Sequence, residues 1–430
     1  MPQQIAGTEV YTLAIAKELV KQGLEIVVLI PNFGKDIVET YEIEGIKVIG
    51  YAQRNIPNRK LLQGKVKPDG LKSFVAVLRN ESPDIVHFHE LTGSNGITLH
   101  HLVAAGNEGF KTVMTFHLAG YSCNTGTLMY KNEQLCDGII RINRCSWCSY
   151  SNKNISLFKK GLLLLMSQGF YAVGYDTRNL GTQFGTALAY PSIISSLKKS
   201  LLELAGVCDR LVTISHWYKN ILIKNGVDPS KISYIQQGLQ GNIIQPTDKK
   251  DVDILKLVFV GRITPVKGLH LLIEALQNLS QQKVALYIYG QENEKEYFLE
   301  CRQKSKELKN IYWRGTIPAD EVIATLSNYD LLCLPSEFSE MSPLVIQEAF
   351  AAGLPVIASN VYGNAEQINH GKNGWLFQFK RADKLKSVIE ELIANPVKVN
   401  NARKYLPSYR TFDIVAKEYE NLYEEVLATT

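Results

Sequence analysis

No run of the roughly 18 consecutive apolar residues that a membrane-spanning helix needs occurs in this 430-residue chain. The stretch Gly161–Met166 is the nearest approach, and it is too short and flanked by Lys159, Lys160 and Gln168. The start at Met1 lacks the basic lead, apolar core and small-residue exit of a secretory signal. Internal repeats and low-complexity tracts are absent, so nothing suggests a repeat array. Seven cysteines, an odd number in a long chain, argue against a disulfide framework and for a reducing compartment. Charge of one sign is also scarce. A net charge of +5 permits an anionic substrate or a membrane surface, but does not demand nucleic acid. What is abundant is apolar residue content: 45% over this length is enough to bury two cores, and the length suggests two or three domains.

Those apolar residues fall in short runs that alternate with helical patterns. In the first half, strands are expected at Glu25–Ile30, Ile46–Ile49, Ile85–Phe88, Thr112–Phe116 and Arg210–Ile214. Helices are expected at Thr8–Lys21, Leu71–Asn80 and Thr98–Ala105. The second half repeats the alternation, with strands at Leu257–Val260, Ala285–Tyr289, Ile311–Trp313, Leu331–Leu334 and Pro355–Ala358. Such α/β alternation predicts parallel sheets covered on both faces, with ligands beyond the strand carboxyl ends. The polar stretch Gln236–Asp253 reads as a linker. The expected organisation is a Rossmann-like domain over residues 1–237, a linker at 238–253, and a second such domain at 254–405. A tail at 406–430 follows, in which Phe412–Val426 has the spacing of one amphipathic helix.

The densest chemistry lies in Leu331–Gly353, LLCLPSEFSEMSPLVIQEAFAAG. Ser342-Pro343 reads as a helix cap followed by proline at the first helical position, with Gly353 at the helix end. The first amides of that helix, at Leu344 and Val345, can face an anion. Glu340 stands at the mouth of the loop and Glu348, eight positions on, inside the helix; this suits a ligand carrying both hydroxyls and phosphate. Upstream, LVFVGRITPVKGLHLL reads as a buried strand, a glycine turn and a basic loop. Arg262 and Lys267 flank a proline-containing turn, close enough to grip one diphosphate.

This E-x7-E window, in the context SEMSPLVIQEAFAAGLPVIAS, resembles the donor site of retaining glycosyltransferases of family 4, which have the GT-B fold. The resemblance implies two Rossmann-like domains facing a cleft, with the tail helix crossing back onto the first. It implies that Arg262 and Lys267 hold the nucleotide diphosphate, that Glu340 hydrogen-bonds sugar hydroxyls and Glu348 the ribose. His117, in the family's T-x-H context after the strand TVMTF, is implied to contact the donor sugar. Gly363, Asn364 and Glu366 resemble the family's G-x-x-E segment, although a glutamate in a helix first turn explains Glu366 equally well. Gly7, in the Ala6-Gly7-Thr8-Glu9 turn, would let backbone approach donor phosphate or acceptor, or is an ordinary helix-opening glycine. His87 and His89, in PDIVHFHE, read as cleft-lining or structural.

The implied reaction moves a sugar from a nucleotide-diphosphate sugar to a glycan or lipid-linked acceptor, with no cofactor required for catalysis, in surface polysaccharide or glycoconjugate synthesis. A nucleotide-sugar epimerase of the same fold and an inactive nucleotide-sugar-binding protein stay open as alternatives. The implied location is cytoplasmic, with peripheral association at the inner face of the cytoplasmic membrane also open. The family would place an apolar strand immediately before the loop at Ala6, and this sequence has none there; a sheet without its first strand is expected. Cys123, Cys136, Cys145 and Cys148 lie within 26 residues. They are either free thiols in an irregular loop at 118–160 or the four ligands of a structural zinc.

Overall fold

The computed structural model describes residues 7–56, 66–91, 96–153, 155–239, 254–277, 279 and 281–429. The chain forms two compact units: residues 1–126, 137–236 and 412–430 make the first, and residues 127–136 and 237–411 the second. Most of the stretch expected as a linker, residues 240–253, lies outside the described residues, as does Ala6.

In the first unit, strands β1 (Val27–Phe33), β2 (Glu39–Ile43) and β3 (Ile46–Gln53) form one sheet in the order β1-β3-β2. β1 runs parallel to β3, whereas β2 pairs antiparallel with it. That antiparallel strand was not expected; it is mostly exposed and offers no apolar run. A second sheet, all parallel, holds β4 (Ile85–His89), β5 (Lys111–Phe116), β6 (Arg210–Thr213) and β7 (Ile232–Tyr234), in that order. Among the described residues, no strand hydrogen-bonds between β1 and β4.

The helices of this unit are α1 (Gly7–Lys21), α2 (Leu71–Glu81), α3 (Leu99–Asn107), α4 (Ile142–Ser151), α5 (Leu157–Ala172), α6 (Gln183–Leu188), α7 (Tyr190–Val207) and α8 (His216–Lys224). The expected irregular loop at 118–160 is therefore only partly irregular, since it contains α4 and the start of α5. The C-terminal helix, Phe412–Ala428, belongs to this unit and packs on α1. Its Val415, Tyr419 and Leu422 join Tyr11, Ile15 and Leu19 of α1, with Val113 and Val212 of the strands beneath.

The second unit contains one six-stranded parallel sheet: β8 (Leu255–Val260), β9 (Val284–Tyr289), β10 (Ile311–Trp313), β11 (Leu331–Leu334), β12 (Val356–Ser359) and β13 (Gly374–Phe377). The order is β10-β9-β8-β11-β12-β13. Helices α9 (Leu269–Gln277), α10 (Lys295–Lys304), α11 (Val322–Leu326), α12 (Leu344–Ala351), α13 (Tyr362–Gln367), α14 (Ala382–Ala394) and α15 (Val397–Arg403) cover it.

Alternate strand residues feed two cores. Leu257 and Phe259 of β8 face one core with α9 and α14, while Val258 faces another with α11 and α12. Burial on both faces explains why these strands read as unbroken apolar runs. Each fully buried Leu, Ile or Phe contributes about 1.5–3 kcal/mol. In chain order the sheet reads third, second, first, fourth, fifth, sixth strand. Its order therefore reverses between β8 and β11, and a parallel α/β sheet opens a ligand crevice beyond the strand ends at that reversal.

Candidate active site

The two loops singled out in the sequence leave the sheet at this reversal. After β8 come Gly261, Arg262 and a short 3-10 turn, Pro265–Lys267. After β11 comes the acidic loop from Pro335 to Pro343, which opens α12. Two glycines let these loops close on their neighbours. A Cβ on Gly268, which has φ +71°, would stand 2.0 Å from the Pro335 carbonyl oxygen. One on Gly363, at the start of α13, would stand 2.1 Å from the Glu340 carbonyl oxygen. The Glu337 amide donates to the Val266 carbonyl at 2.7 Å, stitching the basic turn to the acidic loop.

Lys267 Nζ lies 2.7 Å from Glu340 Oε1, and Ser336 Oγ donates to the same oxygen at 2.7 Å. Glu340 is buried and Lys267 half-buried, their side chains 8% and 15% exposed, so little solvent screens the pair. Lys267 also sits over the Phe338 ring, 5.3 Å from its centre. Ser336 is held in turn, its carbonyl accepting from Ser359 Oγ at 2.6 Å. Arg262 is exposed at the start of the same turn.

Beside this pair, Glu337 meets His270 Nε2 at 3.0 Å and Lys380 Nζ at 3.1 Å. Burial favours its neutral form, yet those two partners hold the carboxyl below its usual range. The opposite happens at Glu348 on α12. Protein atoms packed around its carboxyl push it up to about 7. One site thus contains a paired, charge-compensated carboxylate and a carboxyl poised to titrate near neutrality.

Helix α12 begins one residue later than expected, at Leu344, with Pro343 in the capping position. Ser342 is not its cap; its hydroxyl accepts instead from Gln347 Nε2, at 3.5 Å. Leu344 and Val345 occupy the first turn, where no preceding helical carbonyl takes their amides. Glu366 is exposed and near the end of α13, so it is not a first-turn glutamate. Asn364 is buried, donating to the Ser359 carbonyl at 3.1 Å. Ser336, Phe338, Gly268, His270 and Lys380 were not singled out in the sequence. Serine and glycine beside a motif carry little signal, and Lys380 arrives from beyond β13.

In the first unit, His117 follows β5 and is buried. Its amide and that of Leu118 donate to Glu90 Oε2, at 2.9 and 2.8 Å. Burial nevertheless pushes Glu90 up to about 7. His117 Nε2 lies 3.4 Å from His89 Nδ1, and its ring meets Tyr11 edge-on. His87 is satisfied at both ring nitrogens, by Tyr423 at 2.7 Å and Thr115 at 2.8 Å, which makes it structural. Burial lowers the pKa of all three histidines, of His89 to about 4. They are neutral at pH 7. Gly7 is the first residue of α1.

The cysteines are not gathered as a zinc site would require. Among the described residues, no three His, Cys, Asp or Glu side chains are placed to hold a metal ion. Cys145 and Cys148 lie one turn apart on α4, with Cys145 pushed up by burial and then by nearby Cys123 and Cys148. Cys136 closes a small hairpin, Met129–Tyr130 with Gln134–Leu135, that belongs to the second unit. There Ser339 donates its amide to the Thr127 carbonyl at 2.9 Å, and Tyr362 its hydroxyl to the Cys136 carbonyl at 2.9 Å. Hydrogen bonds to Ser339 and Tyr362 of the second unit hold this part of the segment.

Comparison with known proteins agrees with the fold. The model of the glycosyl transferases group 1 family matches residues 242–408, and that of Glycosyltransferase Family 4 matches residues 5–140. An uncharacterized glycosyltransferase of Methanocaldococcus jannaschii is 24% identical over 432 residues, 98% of this chain and 95% of its own. The putative glycosyltransferase YtcC of Bacillus subtilis is 26% identical over 50% of this chain, which spans 60% of YtcC. The putative colanic acid biosynthesis glycosyltransferase WcaL of Escherichia coli is 31% identical over 39% of this chain and 43% of its own. Among solved structures, sucrose-phosphate synthase from Thermosynechococcus elongatus superposes with a TM-score of 0.66 at 15% identity, covering 99% of this chain and 94% of that one. Anabaena HepE, in complex with UDP and glucose, gives 0.61 at 15% identity, covering 98% and 96%. The fold is GT-B. With that fold, the matches over residues 242–408 and 5–140 make the chain similar to the GT-B proteins of the glycosyl transferases group 1 family.

Proposed function

We propose that this chain is a retaining glycosyltransferase that moves a sugar from a nucleotide-diphosphate sugar to a glycan or lipid-linked acceptor. The observation that carries this reading is the meeting of Lys267, Glu340 and the first turn of α12 where the sheet order reverses. Departure of a nucleoside diphosphate builds negative charge on the leaving oxygen. Arg262, Lys267 and the Leu344 and Val345 amides supply positive potential for it. Glu340 accepts from sugar hydroxyls, and Glu348 from the ribose. His117, being neutral, serves as a hydrogen-bonding group toward a sugar hydroxyl and adds no charge.

In the transfer, the bond from the anomeric carbon to the diphosphate breaks and one to the acceptor oxygen forms on the same face. The acceptor proton passes to the departing phosphate oxygen. The UDP and glucose bound to HepE support a nucleotide-sugar donor. Relatives named for colanic acid and amylovoran biosynthesis support a role in surface polysaccharide synthesis. The test is a panel of nucleotide sugars with candidate glycan and lipid-linked acceptors, scored for released nucleotide, with the product anomer read by NMR. Nucleotide release with retained configuration is expected. No release from any donor contradicts the transferase reading, and an inverted product contradicts retention.

A further inference from the structure

Glu90 breaks two rules at one position. It is a carboxylic acid only 3% exposed, and its backbone takes φ +72°, a left-handed conformation that residues other than glycine adopt uncommonly. It stands directly after β4, at the carboxyl end, where a parallel α/β sheet meets its ligands. Backbone in such a conformation persists only where its surroundings fix it, and an outlier at a ligand-facing end points to a role.

The contacts of Glu90 converge on the turn that leaves β5. β4 and β5 run parallel with His89 opposite Thr115, and the Glu90 amide donates to the Thr115 carbonyl at 3.2 Å. Past the strand ends the side chain takes over. Oε2 alone accepts from two consecutive amides, His117 at 2.9 Å and Leu118 at 2.8 Å. Tyr121, in the 3-10 turn Ala119–Tyr121, donates its hydroxyl to the same carboxyl and accepts from the Leu91 amide at 2.5 Å. Its ring packs edge-on against Phe116, with centres 4.9 Å apart. Residues 117, 118 and 121 are thus gathered round one carboxyl group.

This turn carries the His117 imidazole, whose ring contacts come from His89 and Tyr11. Those contacts orient the ring, whereas Glu90 fixes the backbone from which it projects. A side chain one methylene shorter would leave the two amides without that acceptor. A displacement of about 1 Å at a group that meets substrate is enough to cost a hundredfold in rate.

We propose that Glu90 is a positioning residue for glycosyl transfer: by holding the His117 and Leu118 amides, it sets where the His117 imidazole stands beyond β5. The inference rests on the reading of His117 as a group that meets a sugar hydroxyl.

Two substitutions separate reach from charge. Glu90→Gln keeps the length and an acceptor oxygen; Glu90→Asp keeps the charge and falls short. With the donor and acceptor found active in the panel, kcat should stay within about threefold in Glu90→Gln and fall at least about tenfold in Glu90→Asp. Nucleotide affinity, read by calorimetry, should be unchanged in both, because the donor loops belong to the second unit. In a His117→Ala background, Glu90→Asp should cost less than about twofold more, since the group it positions is gone. Hydrogen exchange at the His117 and Leu118 amides reads the turn without turnover, and should be at least about tenfold faster in Glu90→Asp. Glu90→Gln, matched in shape, keeps the test open if the shorter side chain unfolds the unit.

Equal loss from Glu90→Asp in both backgrounds would mean a role in folding alone and overturns the proposal. So does a Glu90→Gln loss as large as that of Glu90→Asp, or unchanged exchange in Glu90→Asp. An unaltered rate in Glu90→Asp beside an impaired His117→Ala overturns this inference and spares the reading of His117. An unaltered rate in His117→Ala overturns both.

Discussion

Lys267 serves a structural and a proposed chemical role with one ammonium. Its buried contact to Glu340 neutralises a carboxylate that would otherwise sit uncompensated among protein atoms. Removing one partner of such a pair typically costs about 3–5 kcal/mol. Lys267→Ala should therefore lower the unfolding midpoint of the second unit as well as weaken donor binding. Lys267→Ala/Glu340→Gln should recover much of the lost stability and none of the affinity, which denaturant melts and calorimetry separate. Glu348 makes a different demand. Its carboxyl titrates near pH 7, so donor affinity should rise with pH through that value, as the ionised form accepts from two vicinal hydroxyls. Glu348→Gln should give an affinity that is flat across the same interval.

Close approach matters most among the elements. A methyl group at Gly268 or Gly363 would meet backbone oxygen that cannot move without shifting the acidic loop. Gly268→Ala and Gly363→Ala should each cost roughly 1–3 kcal/mol in thermal melts and displace Glu340 from Lys267. Glycine type is visible in a sequence, but what would strike its Cβ is not. Strands β5, β8 and β11 were legible because burial on both faces leaves unbroken apolar runs. Helices α4 to α7 were not expected, because α5 is apolar on its inner and outer faces alike and its pattern blurs. The hairpin at 129–135 has strands of two residues, too short for alternation to register. At the candidate site, the sequence placed Arg262, Lys267 and Glu340 at strand ends. It did not show that Ser336, from the same loop, would share Glu340 Oε1 with Lys267, because that contact depends on loop geometry.

The histidines of β4 and His117 just past β5 give the first unit a pH dependence with a definite sign. Their folded pKa values lie below the ordinary 6.5, so the unfolded chain binds more protons as the solution turns acid. The stability that they contribute is present above about 6.5 and is lost as pH falls toward 4. Glu90 opposes this, since its raised folded pKa costs stability as pH climbs from its ordinary 4.5 toward about 7. Three groups against one set the net direction. The melting temperature of the first unit should fall on acidification below 6.5, and His89→Asn should flatten that fall.

At the scale of the whole molecule, two units divide the labour. The second carries a six-stranded sheet whose order reverses where the basic turn and the acidic loop meet. The first carries a buried histidine group and the Glu90 carboxyl that holds the His117 amide. The central claim is that the reversal in the second unit is a nucleotide-sugar donor site, and calorimetric titration with the donor found active in the panel tests it most directly. Arg262 is exposed, so Arg262→Ala should leave folding intact while removing a charge-assisted contact worth about 1.5–3 kcal/mol. The account predicts a ten- to hundredfold loss of affinity, on the order set by that energy, with a comparable loss in Lys267→Ala. Unchanged affinity in both variants would contradict it.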